Sequence, residues 1–179
     1  MKLTKKNLIE RLKKIKVLAL DCDGILTDGK ILTGVTKDNR GNTIQSFESA
    51  IFSIRDGKGL QLIKEKGVDA FIVSSQASRY VGIRAEKIKV DYVQGERGKD
   101  KAGSLKQWLS EKHPEVSLKD VAFIGDDLED FKIMQAVGVP ITVKDGASQI
   151  KKLSYYVTKA KGGERAVREI CDLILAAKS

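Results

Sequence analysis

Three short runs in this sequence, VLAL at 17–20, AFIV at 70–73 and VAFI at 121–124, contain no polar residue. A strand with one wet face alternates apolar and polar side chains, whereas a strand covered on both faces by helices reads as a continuous apolar run. Segments of helical length and mixed charge separate the three runs. Strand, helix, strand in series gives a parallel sheet with right-handed crossovers.

The remaining elements fall around these runs. An amphipathic segment at 5–14 precedes a strand at 16–20. At 30–54 two strand-like stretches, KILTGV and TIQSFESAIFSI, flank the polar KDNRGN, which reads as a long β-hairpin. From Asp56 a helix runs to 66, then come a strand at 68–73, a helix at 78–88, a strand at 91–93 and a helix at 100–112. A strand at 121–124 and a helix at 128–137 follow, then short elements at 140–143 and 155–158 and a closing amphipathic helix at 164–177. The expected fold class is α/β, a Rossmann-like parallel sheet with helices on both faces. A chain of 179 residues fits one domain, 1–179, with the hairpin at about 30–54 as an insertion.

Composition narrows the partners. The 33 Lys and Arg against 24 Asp and Glu leave a formal charge of +9. These charges are spread through KKNLIERLKK, LIKEKG, IRAEKIK and SEKH with acids among them, so they read as solvated helix faces, and no nucleic-acid partner is expected. No stretch approaches the ~18 apolar residues of a membrane span, and the opening segment lacks the apolar middle of a signal peptide. A soluble, cytoplasmic protein with no membrane partner is expected. Cys22 and Cys171 lie far apart, and Cys22 reads as a small buried residue. Trp108, with Leu105 and Leu109, reads as core. His113, before Pro114, reads as a solvent-facing helix terminator. No Walker loop or dinucleotide fingerprint is present, which leaves ATP-driven and hydride-transfer chemistry without support.

The ends of the apolar runs carry the chemistry. VLAL leads into Asp21 and Asp23, AFIV into Ser74 and Ser75, and VAFI into Gly125, Asp126 and Asp127. Ligands of open parallel sheets bind beyond the carboxyl ends of the strands. Three carboxylates meeting there repel one another unless a cation joins them, and hard oxygens in a small site suit Mg²⁺. Asp21 is the candidate nucleophile toward phosphorus. Two residues on, Asp23 is the candidate acid and base. Gly24 allows a tight turn; Ser74 offers a hydroxyl and an N–H to phosphoryl oxygens; Lys101, at a helix start, offers a positive charge; Asp126 completes the metal site. A calcium loop needs an oxygen ligand at its fifth position and glycine at its sixth, where this chain has Ile25 and Leu26. Asp127 has a simpler reading as a helix cap, and Arg55, Asp56, Gly57 and Gly59 as a strand exit followed by a cap.

DCDGILTDG, the serine pair, Lys101 and GDDLEDF, in that order, resemble the four motifs of the haloacid dehalogenase superfamily phosphatases. ILTDG, SIRDGKGL and YYVTKAKGGERAVREICDLIL further resemble the small-cap subfamily typified by 3-deoxy-D-manno-octulosonate 8-phosphate phosphatase. The resemblance implies a haloacid dehalogenase-like fold with a β-hairpin in place of a large cap. It implies Asp21 as nucleophile, Asp23 as acid and base, and Mg²⁺ on Asp21, Asp126 and the main-chain carbonyl of Asp23. It also implies phosphate binding by Ser74 and Lys101, a substrate site lined by Ser75, Arg55 and Gly57, and supporting acids at Asp127 and Asp130. The implied substrate is a small anionic phosphosugar acid, with nine-carbon sialic-type 9-phosphates the alternative to the octulosonate, and the implied pathway is lipopolysaccharide biosynthesis. The implied assembly is a homotetramer built through the hairpin. A non-catalytic oligomerisation module of the same fold is the rival, against which the intact set of site residues argues. The chain departs from the pattern at Ser75 and Gln76, where a Gly-Arg pair is usual; at KDNRGN, which lengthens the hairpin; and at Arg165, where glycine is usual.

Overall fold

The computed structural model describes residues 3–179. Thr4 opens the first helix, α1 (Lys5–Lys14), by accepting the Asn7 N–H on its hydroxyl, and β1 (Val17–Leu20) follows. Next come the hairpin strands β2 (Leu32–Lys37) and β3 (Thr43–Ser49), then α2 (Ile54–Glu65), β4 (Asp69–Ser74), α3 (Arg79–Ile88) and β5 (Asp91–Gln94). The second half holds α4 (Glu96–Lys99), α5 (Lys101–Lys112), β6 (Val121–Ile124), α6 (Phe131–Ala136), β7 (Val139–Thr142), α7 (Ser148–Leu153), β8 (Tyr156–Val157) and α8 (Ala166–Lys178).

Six strands form one parallel sheet in the order β5-β4-β1-β6-β7-β8. β1 lies inside it, with Val17 beside both Asp69 and Val121. Alternate residues of each strand face opposite layers. Leu18, Leu20, Ile72 and Ile124 pack with residues of α1, α2, α3 and α8; Val17, Ala19, Phe71 and Phe123 pack with Leu105, Trp108, Ile133 and Ile150 of α5, α6 and α7. Both faces are dry, which is why VLAL and VAFI carry no polar residue. Trp108, Leu105 and Leu109 are buried as expected, the indole stacked on Phe71 at 4.7 Å.

The hairpin projects from this body. Its strands pair antiparallel, and the Asp38 carboxylate closes the turn by accepting the N–H groups of Arg40 and Asn42, each at 2.8 Å. At its base the Ser78 hydroxyl donates to Glu48 of β3 at 2.8 Å, tying the hairpin to the start of α3.

Several boundaries differ from expectation. The helix expected at 128–137 begins as a 3-10 turn, Leu128–Asp130, because Asp127 and Asp130 form a reciprocal cap there. α4 and α7 go unannounced in the sequence; each spans fewer than two turns, too short to show a 3.6-residue period. His113 does end α5, its N–H donating to Leu109 O at 2.7 Å, but its side chain is half-buried rather than free in solvent. Its ring lies 5.0 Å from the Trp108 ring, and its Nε2 is 3.1 Å from the Asp69 carboxylate. Among the described residues no helix is long and apolar enough to cross a membrane.

Candidate active site

Asp21 continues the line of β1, its N–H donating to Ile124 O at 3.0 Å. The chain then folds back on itself, the Cys22 carbonyl accepting the N–H groups of Ile25, Leu26 and Thr27. Gly24 makes this turn at φ 77°, and a Cβ there would collide with the Asp126 carboxylate, so both its backbone angle and its surroundings require glycine. The tail packs against the same loop: Gly163 N donates to Ile25 O at 2.9 Å, and Gly162 lies so close to the Gly24 carbonyl that a side chain would not fit. KGGER in the tail is thus a docking segment for the loop that follows β1. Arg165, where glycine is usual, sits at φ 75° in the left-handed region that glycine enters without strain.

The carboxylates are held by different neighbours. Asp21 Oδ1 accepts the Cys22 N–H at 2.7 Å, and its Oδ2 meets Lys101 Nζ at 2.7 Å. Lys101 is the first residue of α5, placed by the Asp100 cap that accepts the Gly103 N–H, and its second contact is Asp130 Oδ1, also at 2.7 Å. Asp130 is completely buried and serves as the hub of the GDD loop. Its Oδ2 accepts the N–H groups of Asp126 and Asp127 at 2.8 and 3.4 Å. The Asp127 carboxylate accepts the Leu128 N–H at 2.7 Å, which makes it the cap of the next turn. Asp23 turns the other way, its Oδ1 accepting from the Tyr80 hydroxyl at 3.0 Å and from Thr27 Oγ1 at 3.4 Å.

Electrostatics follow from this burial. Desolvation and the charge of Asp130 raise the Asp126 carboxyl to about 7. The same two effects, opposed by Lys101, raise Asp21, and desolvation raises Asp23. Burial alone would lower Lys101, yet Asp21 and Asp130 outweigh it and hold the ammonium above its ordinary range. Crowded carboxylates with raised pKa values show where positive charge is wanted. Carboxylate oxygens of Asp21, Asp126 and Asp130 lie within 4.8 Å of one another, a hard oxygen set that fits a small divalent cation.

A cavity of about 250 Å³ opens at this edge, walled by Asp21, Asp23, Ser74, Ser75 and Asp126 and reached also by Gln76 and Glu129. Ser74 is buried at the end of β4, its hydroxyl accepting the Gln76 N–H at 3.1 Å, and the Ser75 hydroxyl donates to Glu129 at 2.5 Å. A larger hollow of about 880 Å³ lies between the hairpin and α3, but Glu48 is the one carboxylate among its lining residues, so acid-base or metal chemistry belongs to the smaller cavity.

The structure gathers Asp21, Asp23, Ser74, Ser75, Lys101, Asp126, Asp127 and Asp130 at one sheet edge. It does not bring Arg55 or Gly57 there. Arg55 is exposed on the first turn of α2 and lines a separate depression with Glu164 and Arg165. Gly57 faces α3, where a Cβ would stand 2.7 Å from Arg84 Nη2, so it is a packing glycine. Three participants, Thr27, Tyr80 and Glu129, were missed. Thr27 lies within DGILTD and Glu129 within GDDLEDF, so both had a local signal; Tyr80 reaches the site only through tertiary packing.

Known proteins resemble this chain over nearly all of its length. The family profile of the haloacid dehalogenase-like hydrolases matches residues 95–167. The 3-deoxy-D-manno-octulosonate 8-phosphate phosphatase of Yersinia pestis is 33% identical over 173 residues, covering 96% of this chain and 86% of that protein. Its namesake in Escherichia coli K12 is 32% identical over 174 residues, covering 96% and 85%. The crystal structure of the Moraxella catarrhalis phosphatase of the same name, in complex with magnesium, phosphate and KDO, matches with TM-score 0.82 at 35% identity over 96% of this chain and 92% of that one. A cobalt-bound structure of the Haemophilus influenzae phosphatase gives 0.77 at 27% identity, covering 94% and 91%. With relatives above 30% identity over 96% of its length and a matching fold, the chain belongs to the haloacid dehalogenase-like hydrolases, among the relatives of 3-deoxy-D-manno-octulosonate 8-phosphate phosphatase.

Proposed function

We propose that the chain is a magnesium-dependent phosphatase that removes the terminal phosphate of 3-deoxy-D-manno-octulosonate 8-phosphate through an aspartyl-phosphate intermediate. The observation that carries this reading is the Lys101 ammonium seated between Asp21 and Asp130, with Asp126 and Asp23 on the wall of the same cavity. Magnesium held by Asp21, Asp126 and the Asp23 carbonyl would neutralise the carboxylates and the phosphoryl oxygens. A carboxylate of Asp21 attacks phosphorus as the bond to the sugar oxygen breaks, and the departing oxygen takes its proton from Asp23. Asp23, now ionised, removes a proton from water as that water attacks the phosphorus of the acyl phosphate, releasing phosphate and restoring Asp21. Ser74 and Lys101 bind the phosphoryl oxygens, and Asp130 keeps Lys101 in place.

The test is phosphate release from a panel of sugar phosphates and sugar-acid phosphates, with and without Mg²⁺, comparing wild type with Asp21→Asn. Metal-dependent turnover concentrated on the octulosonate and abolished in the variant is the expected result. Preference for a nine-carbon 9-phosphate would move the substrate to that acid, in keeping with Gln76 beside the cavity. Equal inertness of both proteins would favour the oligomerisation module.

The same reading takes residues 1–179 as one catalytic domain and four copies as the working assembly. Its support is the hairpin, whose Leu32 and Ile44 are 66% and 69% exposed, a large apolar surface for a single copy to leave wet. Light scattering should give the mass of four chains.

A further inference from the structure

We infer that Tyr80 is the positioning residue of Asp23, fixing one oxygen of its carboxyl group so that the other is presented to the reacting groups. The inference rests on the acid-base reading of Asp23 given above. The two oxygens of Asp23 are unlike. Oδ1 accepts from the Tyr80 hydroxyl at 3.0 Å and, at a longer 3.4 Å, from Thr27. Oδ2 is buried without a hydrogen-bond partner on a residue that walls the cavity of about 250 Å³. The O–H oxygen of a carboxylic acid donates and accepts poorly, so an oxygen already receiving two donors is the carbonyl-like one. The transferable proton therefore belongs on Oδ2, and the phenol enforces that choice.

The phenol is itself well held. Tyr80 sits in the first turn of α3, 6% exposed, its ring 6.2 Å from that of Phe52. Two residues earlier Ser78, at the start of the same helix, is bonded to Glu48 of the hairpin. Tyr80 thus stands between the hairpin and the acid-base residue, contributing to both packing and orientation.

The proposal is tested by measuring kcat/KM for two substrates in wild type, Tyr80→Phe and Asp23→Asn. One is 3-deoxy-D-manno-octulosonate 8-phosphate, whose alkoxide needs a proton to leave. The other is p-nitrophenyl phosphate, whose leaving group departs unprotonated. Since kcat/KM reports steps only up to phosphoryl transfer, the second substrate bypasses the proton donor. Tyr80→Phe keeps the ring and its packing. It should lower kcat/KM on the sugar phosphate about tenfold, a share of the ~10²–10⁴ that general acids contribute, with KM nearly unchanged and p-nitrophenyl phosphate within about twofold of wild type. An equal fall on both substrates would show that the phenol only supports the fold, and overturns the inference. So does a variant that matches wild type on both while Asp23→Asn is inactive on the sugar phosphate. Full activity in Asp23→Asn removes the acid-base reading itself, and this inference with it.

Discussion

Among the described residues, Lys101 is the one cation placed between two carboxylates at this sheet edge, its side chain 2% exposed. Replacing it with an apolar residue of similar length leaves Asp21 and Asp130 buried against each other with nothing between them. Breaking a buried pair in this way costs about 3–5 kcal/mol. Lys101→Met should lose that much stability in chelator-treated protein, read by urea unfolding, and should lose phosphatase activity; added Mg²⁺ should recover part of the stability and none of the activity. Unchanged stability in the chelated protein would mean the ammonium does not hold the two acids. Asp21, Asp23 and Asp126 could be picked out in the sequence because each stands within three residues of the end of an apolar run. Asp130 was legible only by resemblance, since nothing in GDDLEDF says that its fourth acid turns inward while Glu129 turns out. Asp127 had a correct local reading as a cap, because capping is decided within four residues. Arg55 and Gly57 do not line the site's cavity in the single chain, and a motif position carries no information about which way a helix faces.

Between elements, the joint of α2, α3 and α8 holds another buried acid. Asp56 lies in the first turn of α2 and accepts the Arg168 N–H of α8 at 2.7 Å, with Arg84 of α3 close by. Burial raises its carboxyl to about 6. The folded value lies above the unfolded one, so the fold favours the protonated form. That stability is present below about pH 4 and lost as pH rises through about 6. Asp56→Asn cannot ionise, so its stability relative to wild type should rise by about 2–3 kcal/mol between pH 4 and pH 7.5, measured by unfolding at both pH values. A constant difference would show that the carboxyl is not desolvated as described. The hairpin makes a second prediction at this scale. Ile44 touches no core, so Ile44→Asp should leave the melting temperature of the single chain within about 0.5 kcal/mol equivalents while lowering the mass seen by light scattering. Long periodic elements such as α8 and the hairpin strands were legible in the sequence. The two-residue β8 was legible only as a short element at 155–158, and α4 and α7 were not legible, because tertiary contacts rather than local pattern make them.

At the scale of the molecule, the parallel sheet explains how residues scattered from 21 to 130 share one cavity: parallel neighbours end on the same edge, so the loops after β4, β1 and β6 are adjacent. The common edge was legible from three apolar runs with acidic or hydroxyl ends. The order of the strands was not, because nothing in VLAL says that it lies between the other two. Since β1 contributes to the layers on both faces, they should unfold together. Trp108, the sole tryptophan, reports one layer, and far-UV circular dichroism reports the whole. Coincident urea transitions are expected; separated ones would divide the chain into two units. The central place of β1 also bears on how the protein is made. VLAL leaves the ribosome before its partners, so Val17 has no strand beside it until Asp69 is synthesised, and its other side stays open until Val121 follows. Through that interval a nascent chain carries an unpaired apolar strand, the kind of segment that stacks with its copies. Asp21 and Asp23, placed directly after it, act meanwhile as charged gatekeepers against that stacking, a service to the growing chain from the same carboxylates that later serve the finished site.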